Sequence, residues 1–247
     1  MRGGPALAQD ENDPLEPFNR AVFQVNYFLD RVLLKPIAIL YRDATPQVVR
    51  TGITNFLANL STPVVLANAI LQGNAKESEL TLGRFMLNTI LGAGGFVDVG
   101  GMVGMPDRRS EDFGQTLAVY GVGSGPYLML PLLGPSNPRD AVGRVVDLAF
   151  DPLFFLAPAP VTYGRFGVQT VNTREQNIEN FEELERSSLD LYAAVRTLAR
   201  QLRANEIRNG APAPLEDIYN EDVYKLDETG EPGRPAKPPA PQGNGKR

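Results

Sequence analysis

The sequence predicts an all-α domain. Three observations predict it: capping residues set ahead of prolines, apolar side chains at helical spacing, and glycines where the apolar runs stop. Asp13-Pro14, Thr45-Pro46, Thr62-Pro63, Asn137-Pro138 and Asp151-Pro152 each place an oxygen-bearing side chain before a proline. Such a side chain accepts an orphan N–H of the first turn, and a proline at the first helical position loses nothing by lacking its own. Glu16, three residues after Asp13, completes a start like a capping box.

Taken in order, the first helix covers residues 14–34 and stops near Lys35-Pro36. Leu15, Phe18, Val22, Val25, Leu29 and Val32 form its apolar stripe, which Phe23, Tyr27, Phe28 and Leu33 widen beyond what a small core requires. A short segment, 36–41, follows. Helices are then predicted near 46–60, 63–71 and 75–91, with Gly73 and Gly92 as left-handed stops. The centre changes character. Residues 92–104 are dense in glycine, Gly121, Gly123 and Gly125 come soon after, and 113–138 hold no charge. That uncharged stretch is long enough to cross a bilayer, but its glycines and prolines argue against one spanning helix. Bent, uncharged backbone of this kind suits burial in protein, or a place at membrane depth beside it.

Two more helices are predicted at 138–150 and 152–156. A long amphipathic helical region, 163–209, has Val168, Val171, Ile178, Phe181, Leu184, Leu191, Val195, Leu198 and Leu202 as its buried positions and charged residues facing water. From residue 210 proline, glycine and lysine dominate, which predicts disorder, with 215–226 able to form a short docking helix. The domains expected are therefore 1–9, a leader remnant or an added segment; 10–209, the helical domain; and 210–247, an acidic and then proline-rich tail. Ala6-Leu7-Ala8 before Gln9 matches the small-x-small end of a signal peptide, with no apolar stretch in residues 1–5 ahead of it.

Composition excludes more than it selects. The 247 residues carry 24 Lys and Arg against 29 Asp and Glu, so no cationic surface argues for nucleic acid. There is no His, Cys or Trp. The usual zinc, haem and iron–sulfur ligand sets cannot be built, Ser–His and Cys–His pairs are impossible, and no cofactor is expected. The run Gly121-Val122-Gly123-Ser124-Gly125-Pro126 fails the dinucleotide fingerprint, because Pro126 stands where the last glycine belongs. Glu182-Glu183 and Glu111-Asp112 read as solvated helix faces or caps rather than a glycosidase pair. Arg108-Arg109 reads either as plain surface charge or as a clamp for an anionic headgroup. The first stripe and Phe154-Phe155 read as core packing or as a face lying among acyl chains.

Several ordered motifs carry a family likeness. Asp13-Pro14-Leu15-Glu16-Pro17-Phe18-Asn19-Arg20 resembles the opening of the MlaA/VacJ family of outer-membrane lipid-asymmetry proteins. Arg84-Phe85-Met86-Leu87-Asn88-Thr89-Ile90-Leu91-Gly92, Gly94-Gly95-Phe96-Val97-Asp98-Val99, Phe113-Gly114-Gln115-Thr116-Leu117, Tyr120 to Tyr127, Leu130-Pro131, Arg139-Asp140 and Asp151-Pro152 continue it over about residues 10–205.

The resemblance implies a ring-like, membrane-embedded helical domain in the periplasmic leaflet of the outer membrane, with a partly polar passage through it. It implies removal of phospholipids misplaced in the outer leaflet, delivery to the soluble periplasmic carrier MlaC, and association with a trimeric porin. No hydrolysis is needed, so the protein is expected not to be an enzyme. Many members carry a lipid-modified cysteine, and this chain has none. On this reading Gly121, Gly123 and Gly125 are flexure points of a central loop. Tyr120, Tyr127, Asp98, Arg139, Asp140 and Asp147 surround the passage, and Arg108 and Arg109 meet headgroups. Phe18, Val22, Phe23, Phe28, Phe154 and Phe155 face the membrane. The competing reading is a soluble periplasmic scaffold that binds a protein partner through its helical region and tail; a lipid hydrolase ranks last, for want of an activated nucleophile.

Overall fold

The computed structural model describes residues 13–209 and 211. The leader expected at 1–9, the tail and the helix expected at 215–226 lie outside the described residues. The chain divides into two units at Asn209/Gly210, and the fold below is that of the first.

A long helical rod opens the domain: α1 (Glu16–Leu29), a π-helical turn (Asp30–Leu34) and α2 (Lys35–Ala44) follow without a break. The sequence predicts a stop at Lys35-Pro36, and the π turn is why there is none. Lys35 N–H donates to Asp30 C=O, one residue further back than in an α-helix. The wider turn takes in Pro36, which lacks an N–H and would crowd an α-helical carbonyl.

Next come α3 (Gln47–Leu60), α4 (Thr62–Leu71) and α5 (Ala75–Ile90), then the glycine segment with α6 (Val99–Met102). Gly73 takes the expected left-handed φ of +70°, but Gly92 does not. A Cβ on Gly92 would lie 2.2 Å from the Val97 carbonyl oxygen, so close backbone approach, not a left-handed stop, demands glycine there. The left-handed residues are Ala93, Gly94 and Gly95.

After α7 (Phe113–Val119) the uncharged stretch forms a small antiparallel hairpin that the sequence reading missed, β1 (Leu128–Leu130) against β2 (Gly134–Ser136), with Met129 opposite Pro135. Then follow α8 (Pro138–Phe150), α9 (Pro152–Leu156), α10 (Ala159–Gln176), α11 (Ile178–Ser187) and α12 (Leu191–Ile207). Of the five predicted caps, Asn137 and Asp151 accept the N–H of Asp140 and Leu153. Asp13 does not cap; its carboxylate is spent on side chains far along the chain.

Two crossings position the interior. Where α7 meets α8, a Cβ on Gly143 would sit 2.4 Å from the Gly114 nitrogen, so both helices need glycine to approach. Along α11, Glu185, Glu182 and Glu179 pair with Arg31, Lys35 and Arg42, so the two segments run antiparallel.

Burial runs opposite to that of a water-soluble bundle. Among the described residues the buried hydrophobic side chains are seven and the buried polar or charged ones nineteen, while Phe18, Phe28, Val48, Met102, Phe155 and Leu156 stand among many large apolar residues outside. Among the described residues a buried apolar cluster forms from Tyr127, Met129 and Tyr192, with Val22, Phe23 and Val195 against it. α5 makes the pattern plain: Glu77, Thr81 and Arg84 point inward, whereas Leu82, Met86 and Ile90, four residues apart, point out.

Candidate functional site

The polar interior is a connected set of hydrogen bonds centred on two asparagines and several arginines. Asn19 and Asn26 sit seven residues apart on one face of α1. Asn19 donates to the Asp13 carboxylate at 2.8 Å and the Tyr127 carbonyl at 3.0 Å, and accepts from Met129 N–H at 2.9 Å. Asn26 donates to the Leu130 carbonyl at 2.9 Å and accepts from Leu132 N–H at 2.8 Å. The pair thus stands in for a third strand beside β1. Tyr192 and Arg196 of α12 close on Asp13 from the other side.

Further along α12, Arg203 grips two carboxylates at once. It donates to both oxygens of Asp112, each at 2.7 Å, and to both of Asp140, at 2.9 and 3.0 Å. Burial alone would raise the pKa of each acid, but the Arg203 hydrogen bonds and charge outweigh it and hold both below the usual carboxylate range. Glu111, just before them, has no such partner. Burial pushes its pKa up, one Gln72 hydrogen bond at 2.9 Å offsets only part of this, and Oε1 has no hydrogen-bond partner. Glu111 is therefore not a solvated residue, although Asp112 does cap α7 by accepting from Gln115 N–H.

Beside Arg203 opens a cavity of about 700 Å³, lined by Gly125, Tyr127, Arg139, Asp140 and Arg144 among others. The buried Tyr127 hydroxyl lacks a partner, and burial raises its pKa to about 12. A second cavity of about 290 Å³ lies between α3, α5 and the 107–110 segment. Its wall is held by Arg84, which donates to the Asp98 carboxylate at 2.6 Å and the Met105 carbonyl at 3.1 Å. Asn88 donates to the other Asp98 oxygen at 2.9 Å. No group of three or more metal-ligating side chains occurs among the described residues.

Comparison with known proteins now bears on this arrangement. A family model described as "MlaA lipoprotein" matches residues 11–206. The chain belongs to the MlaA lipoprotein family. The "Intermembrane phospholipid transport system lipoprotein MlaA" of Escherichia coli (strain K12) is 40% identical over 222 residues, covering 89% of this chain and 87% of that protein. The protein of the same name from Haemophilus influenzae is 32% identical over 219 residues, covering 87% of each. A solved structure described as "Structural basis for maintenance of bacterial outer membrane lipid asymmetry" superposes with a TM-score of 0.72 at 38% identity, covering 79% of this chain and 98% of that one.

On the MlaA-family frame the residues singled out from sequence fall into separate places. Gly125, Tyr127, Arg139 and Asp140 line the larger cavity. Asp98, Arg108 and Arg109 line the smaller one. Asp147 lines neither; it accepts from Asn68 at 2.8 Å and from Phe113 N–H. Tyr120 is exposed and donates to the Leu71 carbonyl at 2.8 Å. Gly121 and Gly123 have open space around them.

Of the apolar set, Phe18, Phe28, Phe154 and Phe155 are exposed, but Val22 and Phe23 turn inward onto the tyrosine cluster. The Phe23 ring meets the Tyr192 ring edge-on at 5.7 Å, which fixes their direction. The stripe expected to be buried in the C-terminal region is partly reversed: Val168, Leu198 and Leu202 are exposed, while Glu175 and Arg196 are buried. Ion pairs to other helices pull that charged face inward. Glu182 and Glu183 are paired as well, with Lys35 and Arg186.

Sequence reading missed Asn19, Arg84, Asp112 and Arg203 as interior residues. Their signal was available. Tyr192, Arg196 and Arg203 fall on one face of α12, and Thr81, Arg84 and Asn88 on one face of α5, a polar stripe as regular as the apolar one.

Proposed function

We propose that this protein moves phospholipid within the bacterial envelope and maintains the lipid asymmetry of the outer membrane. It sits in the periplasmic leaflet as a ring-like helical body, removes phospholipids misplaced in the outer leaflet, and passes them to a soluble periplasmic carrier such as MlaC. A trimeric porin contacts one of its apolar flanks. The work is transfer without bond breakage, so it is not an enzyme.

The observation that carries this reading is the reversed burial. Each large apolar side chain left in water forgoes about 1.5–3 kcal/mol of burial free energy. Scattered exposed leucines are normal on any protein. Here, however, more than thirty large apolar residues are exposed around a polar interior. Even with each residue only partly exposed, the sum exceeds the whole stability of a typical domain, about 5–15 kcal/mol, unless acyl chains cover those faces. Among the described residues no single helix is long and apolar enough to cross a membrane; α3 and α4, bent by 43°, pass that test only as a pair. A body resting in one leaflet fits both facts.

The glycine-flanked cavity beside Tyr127 and Arg139 is the polar route for a headgroup on this reading. The test is reconstitution with the carrier and vesicles that contain labelled phospholipid. Wild-type protein is expected to need detergent for extraction and to hand label to the carrier. Gly123→Val, which has room for its side chain, is expected to fold normally and to slow the transfer. Extraction by salt alone, or transfer that needs no protein, would defeat the proposal.

A further inference from the structure

Arg108 is a half-buried guanidinium that contacts no carboxylate among the described residues; the charge of opposite sign that acts on it, Glu77, does so without an ion pair. Its hydrogen bonds run from Nη2 to the Ala58 carbonyl and, at 3.3 Å, to the Ser61 hydroxyl; both partners are neutral. Burial lowers its pKa, the positive charge of Arg84 pushes the same way, and the Glu77 carboxylate offsets only part of this. Most arginines inside this fold meet a carboxylate: Arg84, Arg139, Arg165, Arg174 and Arg203 all do. Nor does Arg108 hold the fold through those contacts. The Ala58 carbonyl also accepts from Ser61 at 2.8 Å and Thr62 at 3.2 Å, so it stays satisfied if Arg108 is removed.

The charge count of the smaller cavity has the same sign. Three guanidinium groups line it (Arg84, Arg108, Arg109) against two carboxylates (Asp98, Asp107). Both acids are already committed to Arg84, at 2.6 and 3.2 Å. A partly desolvated cation facing a cavity whose carboxylates are already paired costs free energy that an anionic ligand recovers. Elsewhere in the lining the Ser61 and Thr62 hydroxyls already donate to the Ala58 carbonyl, which leaves the Ser110 hydroxyl and the second N–H of Asn55 as donors, and Phe85 gives the cavity an apolar wall. Outside that wall α5 presents Leu82, Met86 and Ile90. A small cationic hollow next to an apolar stripe suits a phosphate group attached to acyl chains better than a free ion.

We infer that the hollow lined by Arg108, Arg109 and Ser110 is a binding site for the phosphodiester of a phospholipid, separate from the glycine-flanked cavity. The inference rests on the transport reading above and names a place where that substrate is held. Arg108 supplies the unpaired charge, and Arg84 and Asp98 fix the wall. The site holds the phosphate by charge-assisted hydrogen bonds, and the acyl chains lie along the outward face of α5.

The test uses the full chain in detergent micelles, with short-chain dioctanoyl phosphatidylglycerol, glycerol phosphate and inorganic phosphate as separate probes. Binding is read by calorimetry and by the rise in Tm each probe causes. Wild type is expected to bind the short-chain lipid, glycerol phosphate and phosphate more weakly. Arg108→Gln is expected to lower lipid affinity roughly tenfold or more while leaving the ligand-free Tm unchanged or higher. Arg108→Lys should keep part of the affinity. Equal binding of lipid and inorganic phosphate would make this a free-anion site and overturn the lipid assignment. Unchanged lipid affinity in Arg108→Gln, with carrier-dependent transfer intact in wild type, would overturn the site but leave the transport reading standing. Absence of transfer by wild type itself would sink the transport reading and this inference with it.

Discussion

Arg203 and Arg108 are the same side chain in two opposite situations, and the contrast separates architecture from candidate recognition. Arg203 is surrounded by carboxylates from two other segments, Asp112 and Asp140, and also reaches Glu206 at 2.9 Å. Its charge is used up in joining α12 to α7 and α8. Arg108 hydrogen-bonds to a carbonyl and a hydroxyl, with the cation of Arg84 acting on it more strongly than the carboxylate of Glu77. A charge satisfied within the chain is invested in the fold; a charge left open toward a hollow is available to something else. A list of buried arginines alone would not distinguish them.

The largest expected effect would break the first half of that contrast. Arg203→Met leaves the more accessible Asp112 without its cation and the buried Asp140 with Arg139 alone, at 2.9 Å. Removing one partner of a buried ion pair typically costs about 3–5 kcal/mol; the exposure of Asp112 places the expectation near the lower end, about 3 kcal/mol. Denaturant unfolding in detergent would measure it. A loss no greater than that caused by Arg108→Gln would mean the two arginines do not differ as described.

Next in size is the glycine crossing that brings Asp140 to Arg203. Gly143→Val places a Cβ 2.4 Å from the Gly114 nitrogen, backbone against backbone, and nothing there is the end of a flexible side chain. Overpacking of this kind costs about 1–3 kcal/mol. The same variant should loosen the Arg203 contacts, so its cost and that of Arg203→Met should sum to more than the double variant shows. Strict additivity would show that the crossing does not position Asp140.

Acid titration sharpens the contrast further. Asp112 and Asp140 have folded-state pKa values held below their unfolded ones, so their contribution to stability is present above the unfolded value and is lost as pH falls through the folded one. Wild type is therefore expected to lose stability below about pH 4, and Arg203→Met to lose much less over the same range. Glu111 works in the other direction. Burial raises its folded pKa, so the folded state favours its protonated form and stability drifts down as pH rises above the unfolded value. Glu111→Gln should remove that drift; an unchanged pH profile would show that Gln72 alone satisfies the carboxylate.

How much of this was legible in the sequence depends on which face of each helix is considered. The helices themselves were legible, because Asn137 and Asp151 cap where proline follows and Gly73 stops α4. The rod through Pro36 was not. A π turn leaves no local signature, and its first residue, Asp30, is held from far along the chain by Arg174, at 2.6 and 2.9 Å. The hairpin at β1 was hidden for a similar reason. Its extra partner is a pair of asparagine side chains on α1, more than a hundred residues away.

The site divided in the same way. Tyr127, Arg139 and Asp140 were visible through family motifs, and they do line a cavity. Arg203 was not, because an apolar stripe on α12 invited the usual assumption that apolar means inside. Leu198 and Leu202 face outward there, and the polar stripe marks the interior. On the proposed transport reading the exterior meets lipid, where the periodicity survives but its sign is reversed, and periodicity alone carries no sign.

Arg144 supplies the smallest expected effect and the control that the contrast needs. It too lacks a carboxylate, and it reaches only the Leu133 and Pro135 carbonyls, at 3.5 and 3.4 Å. It lines the larger cavity, but it is exposed, so water can solvate its charge. If burial is what makes an unpaired arginine a ligand site, Arg144→Gln should change stability by less than about 0.5 kcal/mol. It should also leave the lipid-induced rise in Tm at its wild-type value. A response lost in Arg144→Gln and retained in Arg108→Gln would move the phosphate to the cavity beside Arg203, making an exposed cation rather than an enclosed one the anchor of the headgroup.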